Sequence, residues 1–252
     1  MKGFIRKVAC LVLALTMIMS VNAFAIGPAG VKDCIKDKDK AIILVGDSRV
    51  MHMALNGNVS HKKNYYFVYG NGFGIQHLAS NTSNMLTNLK NAAGKYKKAK
   101  IVLMLGVNFN SADTEDARLK QYDKIINSIG KSRFVVSTVG KTITKTETKY
   151  KTVTKKVTTG KGKKKKTKTV KTQVPYTVTS GAEGNYKNSR VCSLNAKIRK
   201  HYASKGIPVY DLYAYLDGQV TSIKHTRNND GIHYADGIYS NILSNLRASL
   251  GR

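Results

Sequence analysis

The chain has 252 residues, with 43 lysines and arginines against 14 acids, a formal net charge of +29, no tryptophan and three cysteines. So few cysteines exclude a disulfide-stapled scaffold, and so large a positive charge makes a nearby polyanion the expectation. Without its first 25 residues the chain keeps about 227, enough for one sizeable core and too few for two ordinary domains with a linker.

In chain order, Lys2, Arg6 and Lys7 precede an apolar run from Val8 to Val21 and then Ala23-Phe24-Ala25. That is the pattern of a secretory signal peptide over residues 1–25, cleaved after Ala25. The run falls short of the ~20 apolar residues of a spanning helix, so no transmembrane anchor is expected. The mature chain, 26–252, is then secreted, extracellular, and held at the cell surface by charge. Cys34 and Cys192 remain in it, either bridged or as two buried free thiols.

Short apolar and β-branched runs follow at 41–45, 65–69, 100–105, 134–137 and 208–210. Their continuous rather than alternating character suits strands covered on both faces. Residues 75–89, 114–129, 189–202 and 235–250 read as helices between them. The alternation predicts an α/β chain, a doubly wound three-layer sandwich with about five parallel strands. Ligands in such sheets sit at the carboxyl ends of the strands, here after Val45, Tyr69, Leu105 and Ser137 and in the loop before the last helix.

Residues 141–179 break this rhythm. The stretch from Lys141 to Tyr176 holds thirteen lysines against one acid, Glu147, and threonine alternates with lysine on either side of Gly160 and Gly162. Period-2 alternation through both arms predicts an inserted β-hairpin with one face of lysine and one of threonine and valine. The lysines crowded at its turn, Lys161, Lys163, Lys164, Lys165 and Lys166, are the candidate polyanion contacts. Only Tyr150 and Tyr176 offer stacking faces there, and with export expected no nucleic-acid partner is.

Chemistry concentrates in four places. Gly46-Asp47-Ser48 follows the first strand and sets a serine at the carboxyl edge of the sheet and the start of a helix. Near the C-terminus, Asp230 and His233 stand three residues apart, close enough for the carboxylate to hold one imidazole nitrogen while the other faces a serine. A serine hydroxyl needs such a base at neutral pH, and the base needs an anion to fix its tautomer. Gly70-Asn71-Gly72-Phe73-Gly74 and Gly106-Val107-Asn108 follow the second and third strands, and supply backbone N–H groups and a side-chain amide for a developing oxyanion. The histidines at 52, 61, 77, 201 and 225 show no metal-ligand spacing, so no metal is inferred.

Gly46-Asp47-Ser48, a glycine in the second block, Gly106-x-Asn108 and Asp230-x-x-His233, in that order, resemble the four blocks of the SGNH or GDSL-like hydrolases. The resemblance spans the mature chain outside the insert. It implies a flavodoxin-like sandwich and cofactor-free ester hydrolysis through an acyl-enzyme. Ser48 would be nucleophile and first oxyanion donor, with Gly72 (or, next, Gly74) and Asn108 as the other donors. Asp230 would orient and His233 would be the base. Two positions depart from the pattern: Arg49 replaces the motif's leucine and Phe109 the third block's usual aspartate. Arg49 is expected either to meet an anionic substrate group or to face solvent.

The leading functional expectation is a secreted esterase acting on O-acyl, notably O-acetyl, groups of carbohydrates or envelope polymers. The alternatives are a broad small-ester acylhydrolase or lipase, and a degenerate domain that presents the hairpin to polyanions.

Overall fold

The continuous apolar runs become inner strands because helices cover both faces of the sheet. The computed structural model describes residues 28–252 apart from 57–58, 79, 81–82, 109–114, 160–165 and 183–185. Its strands are β1 (Gly30–Asp33), β2 (Ile42–Gly46), β3 (Tyr65–Tyr69), β4 (Lys100–Met104), β5 (Phe134–Ser137), β6 (Thr144–Thr159), β7 (Lys166–Gly181) and β8 (Val209–Tyr210). The main sheet runs β1-β3-β2-β4-β5-β8, with every pairing parallel except β1 against β3. The five parallel strands are those expected, and in their own chain order they lie 2-1-3-4-5, the flavodoxin-like winding. The antiparallel edge strand β1 has a short, half-exposed GVKD sequence that carries no apolar run to betray it.

The helices are α1 (Ser48–Leu55), α2 (Ile75–Leu78), α3 (Met85–Lys95), α4 (Glu115–Ile129), α5 (Asn188–Ala203), α6 (Leu212–Asp217) and α7 (Asp236–Ser249). The single helix expected over 75–89 is two pieces, because Asn84 adopts a left-handed conformation at φ 54° before α3. Short α6 was not foreseen. One face of the sheet packs Ile43, Val45, Ile101, Leu103 and Val136 against Leu89, Tyr122, Leu194 and Ile198. The other packs Leu44, Phe67, Val102 and Met104 against Val50, Met53, Tyr239 and Leu243. Every residue of β2 is buried, which is why its sequence does not alternate. No helix of the described residues is long and apolar enough to cross a membrane. The expected signal peptide lies outside the described residues.

The insert is a ribbon in which all sixteen residues of β6 pair antiparallel with β7, from Thr144↔Gly181 to Thr159↔Lys166. The register corrects the expected division of its faces. Even-numbered β6 residues share a face with odd-numbered β7 residues, and ten of the sixteen residues on that face are threonine, from Thr144 to Thr158 and from Thr167 to Thr179. The valines 153, 157, 170, 174 and 178 lie with the lysines instead. The cause is that the valines stand in the same alternate positions as the lysines, between residues of the threonine face, while the successive pair Lys155-Lys156 places only Lys156 on the threonine face. Of the five turn lysines, Lys161, Lys163, Lys164 and Lys165 lie outside the described residues, and Lys166 opens β7. Cys34 and Cys192 are both free; Cys34 is half-buried and Cys192 exposed, so the second thiol is not buried as expected.

Candidate active site

In a doubly wound sheet the crevice opens where the connections change direction, here between β2 and β4. Both edges of that crevice carry chemistry. β2 ends at Gly46, and Asp47 caps α1 by accepting from the Arg49 N–H at 2.9 Å. Ser48 is therefore the first residue of the helix, with a backbone N–H that has no acceptor inside the helix and lies at its positive end. Burial raises the Asp47 carboxyl above its ordinary pKa, although Arg49, His233 and the N–H groups of Arg49 and Val107 oppose the rise.

The loop after Thr226 brings the other partners across. Asn228 and Asn229 take left-handed conformations, φ 51° and 55°, which asparagine tolerates better than most residues. The Arg227 N–H donates to the His233 carbonyl at 2.7 Å and the Gly231 N–H to Thr226 Oγ1 at 3.0 Å, closing the loop on itself. Within it, Asp230 Oδ1 accepts from the N–H groups of Ile232 (2.7 Å) and His233 (2.8 Å), leaving Oδ2 to His233 Nδ1 at 2.6 Å. His233 Nε2 lies 2.7 Å from Ser48 Oγ. The three side chains expected from sequence thus stand in one line. Burial works against ionising Asp230, but the His233 hydrogen bond and the two backbone donors outweigh it and hold the carboxyl below its ordinary value. An ionised carboxylate only accepts, so the imidazole proton belongs on Nδ1 and Nε2 is left to accept from the serine.

Ser48, Asn71, Gly72, Asn108, Tyr186, Ile232 and His233 line a cleft of about 230 Å³. Gly72 has φ +72° and open space where a side chain would start, so the chain turns there with its backbone bared to the cleft. Gly74 is otherwise engaged: its N–H donates to His77 Nδ1 at 2.9 Å. Between the two glycines considered, Gly72 is the one at the cleft. Asn108, which lines the cleft, is held by one amide hydrogen donated to the Phe73 carbonyl at 2.8 Å. Tyr122 brackets the end of β4 before it, its hydroxyl bonding both the N–H (3.0 Å) and the carbonyl (3.2 Å) of Leu105.

Neither fate expected for Arg49 occurs. Its side chain is buried and neither meets solvent nor lines the cleft. It donates to the carbonyls of Ile232 (2.9 Å), Gly140 (2.9 Å) and Lys141 (3.4 Å), and its guanidinium lies 4.8 Å from the Tyr234 ring centre. Phe109 lies outside the described residues. Three neighbours of the site were missed. Asn71 was legible only as part of the glycine-rich block, and Tyr186, beyond the insert, had no signal at all. His52 meets the His233 ring edge-on at 5.1 Å and stacks on Tyr239 at 5.9 Å, one helical turn from Ser48. Burial, with help from His233 and Arg227 and against the pull of Asp236 and Asp230, lowers its pKa from the ordinary imidazole value.

No family model matches the sequence, and no curated protein is detectably similar to it. Solved structures are similar in fold. The lipase/acylhydrolase from Enterococcus faecalis superposes with a TM-score of 0.55 at 14% identity, covering 83% of this chain and 95% of that one. An acetyl xylan esterase superposes at 0.53 with 14% identity, covering 83% and 98%. The fold of this chain is that of the SGNH, or GDSL-like, hydrolases.

Proposed function

We propose that this protein is a serine esterase, and that its substrates are O-acyl, chiefly O-acetyl, esters of carbohydrates or envelope polymers. The observation that carries the reading is the relay from Asp230 through His233 to Ser48, at 2.6 and 2.7 Å, beside a cleft that holds Gly72 and Asn108. In the first half-reaction Ser48 Oγ attacks the ester carbonyl while His233 Nε2 takes its proton. The resulting oxyanion meets the N–H groups of Ser48 and Gly72 and the second amide hydrogen of Asn108, donors already in place before charge develops. Collapse expels the alcohol, protonated by His233, and leaves an acyl-serine. Water, deprotonated by the same imidazole, then releases the acid.

The size of the cleft favours a short acyl group. At about 230 Å³ it lies below the ~300–1,000 Å³ of sites that enclose drug-sized ligands. A fold-mate described as an acetyl xylan esterase agrees with a polymer-borne acetyl ester. Export follows from the pattern of residues 1–25. The test has two parts. A fluorophosphonate should label Ser48 stoichiometrically, and turnover should fall steeply from p-nitrophenyl acetate to the decanoate, with release of acetate from acetylated xylan or peptidoglycan. Labelling at another serine defeats the mechanism, and preference for long chains defeats the substrate class in favour of a lipase.

A further inference from the structure

The ribbon has two chemically distinct faces, and its length is roughly 50 Å at ~3.4 Å per residue. On one face Lys145, Lys149, Lys151, Lys155 and Lys168 stand in file, separated along a strand by two or four residues, or ~7 and ~14 Å. The one acid on that face, Glu147, is already paired with Lys145. The opposite face carries Lys156 and Lys171 among threonines. The ammonium groups of the lysine face therefore repel one another and have too few carboxylates to answer them. Tyr176 shares the face, with its ring 6.0 Å from Lys151 Nζ. Tyr150, the most exposed aromatic of the described residues, lies on the other face.

The root of the ribbon is stitched to the loop that carries Asp230 and His233. The Ile143 N–H donates to the Gly231 carbonyl at 2.9 Å, and the Ala182 N–H donates to the Ile143 carbonyl at 2.9 Å. Gly231 itself, at φ +71°, leaves no room for a side chain, because a Cβ there would run into the Ile143 carbonyl. The near end of the ribbon is thus anchored to the loop that carries His233.

We propose that the lysine face of the β6–β7 ribbon is a track for a linear polyanion, and that the ester cleaved in the cleft is carried on that polymer. The second half rests on the esterase reading; the first does not. The ligand is a chain whose phosphates or carboxylates recur at intervals the lysines can follow, with Tyr176 free to stack on a ring of its backbone. Tethering the polymer to the ribbon raises the local concentration of its esters at Ser48.

Binding is measured with Ser48→Ala protein, so it is independent of turnover. Three forms are compared: the full chain, a face variant (Lys145, Lys149, Lys151, Lys155 and Lys168 all to Gln), and a turn variant (Lys161, Lys163, Lys164 and Lys165 to Gln). The probes are polygalacturonate, inorganic polyphosphate, and equimolar phosphatidylglycerol–phosphatidylcholine vesicles, each over a range of sodium chloride. The face variant should bind at least one polymer more weakly than the turn variant does. The slope of log affinity against log salt should shrink by about 3 to 4, from five lysines at ~0.7 each. Preference for polygalacturonate assigns a carboxylated glycan, and preference for polyphosphate a phosphate chain. Equal losses in the two variants, no loss in the face variant, or binding to vesicles alone would overturn the track. With Ser48 intact, the face variant should lose roughly 10-fold or more on acetylated pectin and nothing on p-nitrophenyl acetate. If both substrates are cleaved as by the parent, the polymer is not the substrate. If the parent cleaves neither, the esterase reading fails while the binding result stands.

Discussion

Arg49, the residue after Ser48, donates through Nε to the carbonyl of Ile232, the residue before His233, at 2.9 Å. The segments that carry Ser48 and His233 are therefore tied by one buried guanidinium, which also holds the ribbon root through Gly140. Truncation to Arg49→Leu removes the donor from buried carbonyls and should cost roughly 2–4 kcal/mol of stability. Because it loosens the geometry rather than removing a reacting group, kcat on a small ester should fall by about 10- to 100-fold with little change in KM. Arg49→Lys, which keeps a donor, should recover part of both. Urea midpoints and steady-state kinetics on p-nitrophenyl acetate check it, and an Arg49→Leu enzyme with parental kcat removes the tie from the mechanism.

Ser48→Ala and His233→Ala should each lower ester hydrolysis by at least ~10³-fold in folded protein, and the double variant should be no worse than either, since the two act as a unit. Additive losses would mean they do not share a proton.

Asn108→Ala should lower kcat by roughly 10²-fold with a smaller effect on KM, because its amide acts on charge that develops only in the transition state. A crystal structure of a phosphonate adduct should place the phosphonyl oxygen against the N–H of Gly72. An adduct oxygen on the N–H of Gly74 instead would require the His77 hydrogen bond to break first.

Asp230 has a carboxyl held below its ordinary pKa in the folded state. Such a group contributes stability that is fully present above the unfolded carboxyl pKa, about 3.9, and is lost as pH falls through the depressed folded value. The stability difference between the parent and Asp230→Asn should therefore be constant near neutrality and close below about pH 4. Chemical denaturation from pH 7 down to the acid limit reads it. A difference that widens with acid would contradict the depressed pKa.

The ribbon can be shortened, but not from its root. Thr142 Oγ1 donates to the Tyr186 carbonyl at 2.8 Å and Ile143 bonds Gly231, so a cut at residue 142 would remove contacts of the His233 loop. Joining Lys145 to Ser180 by a short glycine-serine turn should leave hydrolysis of p-nitrophenyl acetate within a few-fold of the parent, whereas Gly231→Ala should lower it at least about 10-fold through a displaced His233. Equal rates for the two would show that the root does not support the site.

Sequence alone determined the parts of this protein that repeat or that chemistry constrains. Continuous apolar runs announced strands covered on both faces, and Ser48, Asp230 and His233 declared themselves through residue type and a spacing that only a short loop could use. Gly72, Asn108 and the length of the β6–β7 pairing were legible for the same reason. Tertiary structure decided what depends on neighbours distant in the chain. The guanidinium of Arg49 found three carbonyls from two remote segments, a burial no local pattern encodes. Tyr186 and Asn71 came to the cleft by the path of the loops, and His52 met His233 across 180 intervening positions. On the ribbon, the valines alternate in phase with the lysines and so share their face, because the side-chain period of two makes each residue's face depend on its place in the strand.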